Sequence, residues 1–313
     1  MSKNIAVIGA GISGLSSALL LAENSYNVTI IAKAFSPNIT SNRAAAFWFP
    51  YHIRNDSRGI SWCRISYKYY QENAVNPDTG ISMQTLHKVL RKGVVAEEPV
   101  WVEFMPEGSY TIKRGNDVDE MYDAIYEVTV PLIETQIFLP YLMNVLRQRG
   151  VTFIEREIAS FDELNNYDAI INCSALGSRK LCNDDLMIPV RGQVGLLSPK
   201  AGLPVYLDNE KPLYVVPRKD AIIVGGTYEE HVETDNTEPA TIQRLLHNAY
   251  EIFPELKTQE VIGDWAGLRP YRPDVRVERE AGTNIIHNYG HGGSGFTLAF
   301  GCADEVLRLA SSI

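Results

Sequence analysis

The sequence predicts an α/β fold in which a Rossmann-like nucleotide domain interleaves with a second domain built on its own sheet. Three observations predict it. Near the N-terminus, a β-branched run meets a glycine loop and then a helical stripe. Near the C-terminus the same order recurs: strand, glycine loop, helix. Between them lie further strand-like pieces and a hairpin signal that a nucleotide unit does not need. With 313 residues the chain can form two domains or one large one, with a sizeable core.

Asn4–Ile8 reads as a short strand, and Gly9-Ala10-Gly11-Ile12-Ser13-Gly14 follows it directly. Leu15, Ala18, Leu19 and Ala22 then recur at helical spacing, and Val28–Ala32 is a second strand. G-x-G-x-x-G carries meaning in this strand–helix setting: the first glycine permits the turn, the second lets a pyrophosphate approach, and the third allows close helix–strand packing. The acidic residue that usually holds the adenosine ribose should stand near position 33, where this chain has Lys33. A lysine there either sits in solvent or welcomes a 2′-phosphate, which would favour NADP.

Asn42–Tyr51 is a small-residue run ending in aromatics, fit to wall a flat ring or to fill a core. Trp62–Ala74 reads as an amphipathic helix, and Lys92–Tyr126 as strand pieces (VWVEFM, YTIKR, YEVTV). Phe138–Arg149 reads as a helix stopped by Gly150, with Leu139, Leu142, Met143, Val145 and Leu146 inward. Val151–Ile154 and Asp168–Cys173 are strands returning to the nucleotide domain. The second closes on Ser174-Ala175-Leu176-Gly177, small residues suited to a strand end that meets a cofactor. Leu213–Val216 and Ala221–Gly226 flank Pro217–Asp220 as a hairpin, and Ala240–Phe253 is a helix. Finally, Asn284–Ile286 is a short buried strand, and Phe296, Phe300, Ala303, Val306, Leu307 and Ala310 mark a helix after the loop that holds Gly290, Gly292, Gly293 and Gly295. Such a loop lets backbone approach a ligand, and the helix start offers unpaired N–H groups to its electron-rich side.

Composition narrows the partners. The chain is 45% hydrophobic and 21% charged, and its net charge of −9 argues against nucleic acid or an anionic membrane. Cys63, Cys173, Cys182 and Cys302 form no CxxC pair, so neither a disulfide framework nor a metal site is expected. No apolar run is long enough for a membrane span, no secretory leader is evident, and the chain does not end in SKL, which gives a cytoplasmic expectation.

In Gly267-Leu268-Arg269-Pro270-Tyr271-Arg272-Pro273-Asp274 the prolines stiffen a support for two arginines. A fixed guanidinium fork is the natural partner of a carboxylate, and an ion pair with a surface acid is its ordinary alternative. His287 and His291 have the chemistry of acid–base groups, yet in a glycine loop they more commonly hold backbone turns.

Together, GAGISG, RGQ at Arg191–Gln193, GLRPYRPDVRVERE at Gly267–Glu280 and HNYGHGGSGFTLAFGCA at His287–Ala303 resemble D-amino-acid oxidase over nearly the whole chain. The resemblance implies FAD, non-covalently held, in a doubly wound domain interleaved with a substrate domain built on a mostly antiparallel sheet. Its boundaries would be 1–50, 150–195 and 284–313 for the FAD domain, and 51–149 and 196–283 for the substrate domain. Arg269 and Tyr214 then match the pair that binds the substrate carboxylate, and the Gly293 carbonyl matches the acceptor for the substrate amine. Those three are the expected catalytic set, with Tyr228 and Ser294 beside them as substrate contacts. The expected FAD contacts are Gly9 to Gly14, Lys33, Arg43, Ala44, Ala45, Trp48, Ile158, Ser174, Gly177, Arg269 and the loop Gly292, Gly293, Ser294, Gly295, Phe296 and Thr297.

The segment Tyr206–Pro212 is short where vertebrate members carry an active-site lid with a tyrosine, so Tyr206 is left without that role. Tyr228 stands where D-aspartate oxidases have an arginine for the second carboxylate, which implies neutral D-amino acids. Glu229, Glu230 and Glu233 would disfavour an acidic side chain further if they face the site. The implied reaction is hydride transfer from a D-amino acid to flavin, giving a 2-oxo acid, ammonia and, with dioxygen, hydrogen peroxide. The resemblance leaves room for a homodimer. A D-aspartate oxidase, an NADP-dependent dehydrogenase and a non-catalytic nucleotide-binding protein are the alternatives.

Overall fold

A computed structural model describes residues 2–94 and 99–313. Strand β1 (Asn4–Ile8) passes through Gly9 into helix α1 (Ile12–Glu23), and β2 (Asn27–Ala32) lies parallel to β1. Period-two alternation sorts their side chains: Ile5, Val7, Val28 and Ile30 enter the main core, whereas Ala6, Ile8 and Ile31 enter a smaller cluster on the opposite face. Helix α2 (Ser57–Asn73) begins at Ser57 rather than Trp62, because the Asp56 carboxylate accepts the Gly59 N–H at 2.8 Å and caps it.

Strands β3 (Ile81–Arg91), β4 (Tyr110–Arg114) and β5 (Tyr122–Ile133) form an antiparallel group. The strand expected at Val100–Met105 is absent: Val100–Phe104 is a 3₁₀ helix. There the Trp101 ring packs edge-on against Tyr110 and Tyr126, so aromatic packing outweighs the β-branched composition. Residues 95–98 of that expected stretch lie outside the described residues. Helix α3 (Thr135–Gln148) buries the expected face, except that Val145 is only half-buried.

The chain then alternates between the two halves of the molecule. It forms β6 (Thr152–Glu155), β7 (Ala169–Asn172), α4 (Ser178–Leu181), β8 (Ile188–Leu197) and β9 (Val205–Asp208). The hairpin β10 (Leu213–Pro217) and β11 (Ile222–Gly225) forms as expected, followed by β12 (Glu229–Glu230) and α5 (Pro239–Ile252). The long β13 (Val261–Arg279) leads to β14 (Ile285–His291) and α6 (Gly295–Ser311). Strand β14 continues past Ile286 because it is paired on both sides, parallel to β7 and antiparallel to β13, and all seven of its residues are buried.

Both halves belong to one sheet, in the order β4-β5-β3-β9-β10-β11-β8-β13-β14-β7-β1-β2-β6, with β12 paired to β8. The last five strands, β14 to β6, are all parallel, and the rest are antiparallel except for the β3/β9 pair. Helices α1 and α6 cover the parallel strands on the face of the main core, while α5 covers the antiparallel strands on the other face through Ile242, Leu245, Leu246 and Ala249. Tyr70 in α2 donates to the Phe296 carbonyl at 2.9 Å, so the α6 start is held from within the core. The carboxyl ends of β1, β7 and β14 thus meet the middle of β13 at one seam. Ligands of doubly wound sheets bind at such carboxyl edges.

Candidate active site

The glycines of the first loop behave as their spacing requires. Gly9 has φ +103, and a Cβ there would overlap the Cys173 carbonyl at the end of β7. A Cβ on Gly14 would overlap the Gly9 carbonyl, so the helix can approach the strand only as glycine. Helix α1 starts at Gly11 with no side-chain cap and no acidic residue in its first turn. The Ile12 N–H donates to the Ser41 hydroxyl at 3.1 Å, and Ser41 is a residue the motif did not point to. Ala10 and Ile12 are buried beside the loop, and Ser13 donates to the Asn288 carbonyl at 3.0 Å, tying it to β14.

Across the seam, Gly292 (φ +54) and Gly293 lead into α6, whose start also lacks a side-chain cap and an acidic first turn. Two helix N-termini with no acidic residue in the first turn therefore lie at one sheet edge, the arrangement suited to an anionic diphosphate and to an electron-rich ring. The glycine cradle fits a dinucleotide.

Other expected contacts are distributed around this edge. Ser174 donates to the Asn172 carboxamide oxygen at 2.7 Å, and Gly177 is exposed at the next turn. Lys33 is exposed at the end of β2, and Ile158 is buried in the small cluster beneath that strand end. Arg43 donates to the Ala266 carbonyl at 2.6 Å and pairs with Asp235. Ala44 is held by Arg218, a buried arginine that donates to its carbonyl at 3.2 Å and to Thr135 at 3.0 Å. Ala45 is half-buried, packed against the main core.

The aromatic run divides. Trp48 is fully buried, edge-on to Tyr67, and Phe49 packs on Trp101, so these two rings are core. Phe47 leans toward Tyr214 and Tyr51 lines the cavity. Within the second loop, the Ser294 hydroxyl is engaged by the Tyr51 carbonyl and that of Thr297 by the Phe49 carbonyl. Their side chains fasten the aromatic segment to α6. Phe296 is buried in the core, and Gly295 packs near Ile12 of the first loop.

A cavity of about 260 Å³ opens beside Gly293. Arg269, Tyr228, Tyr51, His52 and Tyr271 line the part nearest it. Arg269 pairs with Val190 across the β13/β8 ladder, and its guanidinium lies over Gly192 so closely that any Cβ there would overlap it. Its Nη1 donates to the Thr227 carbonyl at 2.9 Å. The Thr227 hydroxyl in turn accepts the Gln193 N–H at 2.8 Å. Tyr214 lies over Gly225 and Gly226, where Cβ atoms would overlap its ring. Burial raises the Tyr214 pKa and the adjacent Arg269 charge lowers it, leaving a net rise, so the phenol remains a donor at neutral pH. A fixed guanidinium beside a phenol O–H is a carboxylate site.

The rest of the expected chemistry resolves into support. Arg191 is buried and pairs with Glu229 and Glu238, while Gln193 donates to Glu229 at 2.8 Å. Glu233 pairs with Arg179. Glu230 and Glu233 are both exposed, and of the three glutamates Glu230 alone influences Tyr228 and His52. Arg272 is an ion-pair residue, 3.0 Å from Asp184. His287 sits between Glu280 and Asn172 at 3.1 and 3.3 Å, and His291 is 3.1 Å from Asn288. Burial lowers both histidines' pKa values, that of His291 to about 4, so both are neutral parts of the frame. Tyr206 is buried against Phe253, with its hydroxyl 3.0 Å from that of Tyr122, far from a lid position in character. Ser41, His52, Tyr271, Thr227 and the supporting glycines Gly192, Gly225 and Gly226 were missed. The pairs R-G-Q and G-G-T were the available signals.

Residues 4–309 match the model of the FAD-dependent oxidoreductase family. The chain is 35% identical to a D-amino-acid oxidase of Rubrobacter xylanophilus, covering 98% of this chain and 95% of that protein. It is 34% identical to a D-amino acid oxidase of Dugesia ryukyuensis, covering 99% and 98%. Among solved structures, glycine oxidase from Bacillus cereus superposes with a TM-score of 0.83 at 18% identity, covering 99% of this chain and 98% of that one. An L-proline dehydrogenase from P. horikoshii gives 0.85 at 17% identity, covering 99% and 94%. At those identities the structural likeness speaks for the fold.

Proposed function

We propose that this chain, which belongs to the FAD-dependent oxidoreductase family and within it to the D-amino-acid oxidases, oxidatively deaminates neutral D-amino acids. One observation carries the reading: Arg269, laid over Gly192 and bonded to Thr227, meets the Tyr214 phenol beside Gly293 at the glycine-rich seam. In this reading Arg269 and Tyr214 clamp the substrate carboxylate, and the Gly293 carbonyl accepts from the neutral amine. Bound FAD supplies the two-electron acceptor for the hydride that leaves the α-carbon, and dioxygen then carries those electrons away as hydrogen peroxide. The chain's part is positioning: the clamp aims the α-hydrogen, and no general base at carbon is needed. The N–H groups at the α6 start favour negative charge developing beside them. The imino acid released hydrolyses to a 2-oxo acid and ammonia.

Gly9 to Gly14, Lys33, Arg43 to Ala45, the Trp48 backbone, Ile158, Ser174, Gly177, Arg269 and Gly292 to Thr297 are the proposed FAD contacts. Membership of an FAD family removes the NADP alternative, so Lys33, exposed at the end of β2, has no 2′-phosphate to meet. The proposed division into 1–50, 150–195 and 284–313 against 51–149 and 196–283 is supported by the five parallel strands, all of which fall in the first set. Strand β8 straddles its boundary. A homodimer and a cytoplasmic location are accompanying proposals, checked by light scattering and by fractionation. Among the described residues no helix is long and apolar enough to cross a membrane.

The test is peroxide release from flavin-loaded protein on a panel of D- and L-amino acids. Turnover of D-alanine is expected, with little of L-alanine. Preference for D-aspartate at neutral pH would overturn the neutral-substrate reading in favour of Tyr228 accommodating a second carboxylate by other means.

A further inference from the structure

We propose that His52 is a specificity-determining residue of this site, and that its protonation admits D-amino acids carrying a side-chain carboxylate. The inference rests on the D-amino-acid oxidase reading above.

Two geometric observations carry it. The His52 imidazole stands at the mouth of the cavity, stacked on Tyr228 with ring centroids 5.2 Å apart and planes at 22°. It closes one aromatic wall with Tyr51, 4.2 Å away, and with Tyr271, which meets Tyr228 edge-on. His52 also has φ +51, in the left-handed region that L residues rarely adopt. A strained backbone beside a cavity lined by Arg269 presents the ring where a relaxed one would not. Among the described residues, no side chain hydrogen-bonds that imidazole, unlike those of His287 and His291. Of the two histidines lining the cavity, His52 and His291, it is the one left able to answer a ligand.

The charges around it set the sign. From its own segment it faces Tyr51 and Arg54, from the turn before β12 Tyr228, from β12 Glu230, and from β13 Arg269 and Tyr271. Partial burial and the Arg269 charge lower its pKa, and Glu230 opposes them. Before substrate binds, a proton on His52 is therefore disfavoured by burial and by Arg269. A substrate's α-carboxylate neutralises Arg269 and lifts that penalty. The side-chain carboxylate of a dicarboxylic substrate then gives the imidazolium a partner. At higher pH the neutral imidazole and three tyrosines offer a wall for uncharged side chains.

D-Glutamate and D-glutamine form an isosteric pair that isolates the charge. In the flavin-loaded enzyme, the ratio of kcat/KM for D-glutamate to that for D-glutamine is expected to rise about tenfold between roughly pH 8.5 and pH 5.5, across histidine's range. His52→Phe keeps the stack and should hold that ratio flat, and His52→Arg should keep it high throughout. Because each readout is a ratio of two substrates on the same protein, a general loss of turnover in either variant cancels from it. An equal rise in His52→Phe, or rejection of both substrates at every pH by an enzyme that turns over D-alanine, would overturn the proposal. If no D-amino acid releases peroxide, the underlying reading fails instead.

Discussion

The cofactor cradle and the substrate clamp both depend on glycine, and they use it for opposite purposes. In the cradle, glycine lets backbone meet backbone: Gly9 against the Cys173 carbonyl and Gly14 against Gly9. In the clamp, glycine makes room for functional side chains: Gly192 lies under the Arg269 guanidinium, and Gly225 and Gly226 under the Tyr214 ring. The first use is local, so it appears as a spacing within six residues. The second acts between strands, across the β10/β11 hairpin and between β8 and β13, which are far apart in sequence, so it appears only as register, Tyr214 opposite Gly225 and Gly267 opposite Gly192. In the proposed reading, cradle glycines protect cofactor affinity. Clamp glycines protect the placement of a charge.

Substitutions should separate these two uses. The largest effect is expected from Arg269→Ala, which removes a charge-assisted, two-point contact: kcat/KM for D-alanine should fall by about three orders of magnitude, roughly 4 kcal/mol, mainly through KM. The flavin spectrum should be retained, and steady-state kinetics on protein of measured flavin content would reveal a clamp misassigned if turnover barely changed. Gly14→Ala comes next. Its Cβ meets backbone that cannot yield cheaply, and FAD affinity should weaken by about a hundredfold, near 3 kcal/mol, in flavin-release titrations.

Gly192→Ala sharpens the comparison most, because it touches no ligand. Displacing the guanidinium should raise KM for D-alanine by about tenfold to fiftyfold, around 2 kcal/mol, with FAD affinity unchanged. If Gly192→Ala weakened FAD while sparing KM, the distinction between the two kinds of glycine would collapse.

The seam between the two regions makes a subtler prediction. Burial holds the His291 pKa near 4, below the ordinary value of 6.5. The unfolded chain therefore binds this proton more readily than the native one, so stability is fully present above about pH 6.5 and declines as pH falls toward 4. Between pH 7.5 and 5 the loss should be about 2 kcal/mol. His287, also lowered by burial, adds in the same direction. Urea midpoints measured across that range should drift less in His291→Gln than in the parent. An equal drift would place the titrating group elsewhere.

Much of this was readable from the residues. The β1–α1–β2 unit, the β10/β11 hairpin, α5 and α6 follow from periodicity and turn chemistry, since each is stabilised by neighbours close in sequence. The failures have one cause. At Val100–Phe104 a strand-like composition packs as a 3₁₀ helix because Trp101 finds Tyr110 and Tyr126 in other segments. His52 attracted no notice in sequence, because nothing local marks a histidine that will stack on a tyrosine far along the chain.

By itself, then, the sequence determined the chemistry available: a glycine loop before a helix at each end of the chain, an arginine between prolines, and a tyrosine on a hairpin strand. Those features act over a few residues, where steric and hydrogen-bonding rules leave little choice. Tertiary structure decided their company. Pairing of β8 with β13 carries Gly192 under Arg269, and pairing of β14 with both β7 and β13 brings the two glycine loops to one edge. Register across a sheet depends on the packing of both its faces at once, and no single segment contains that information.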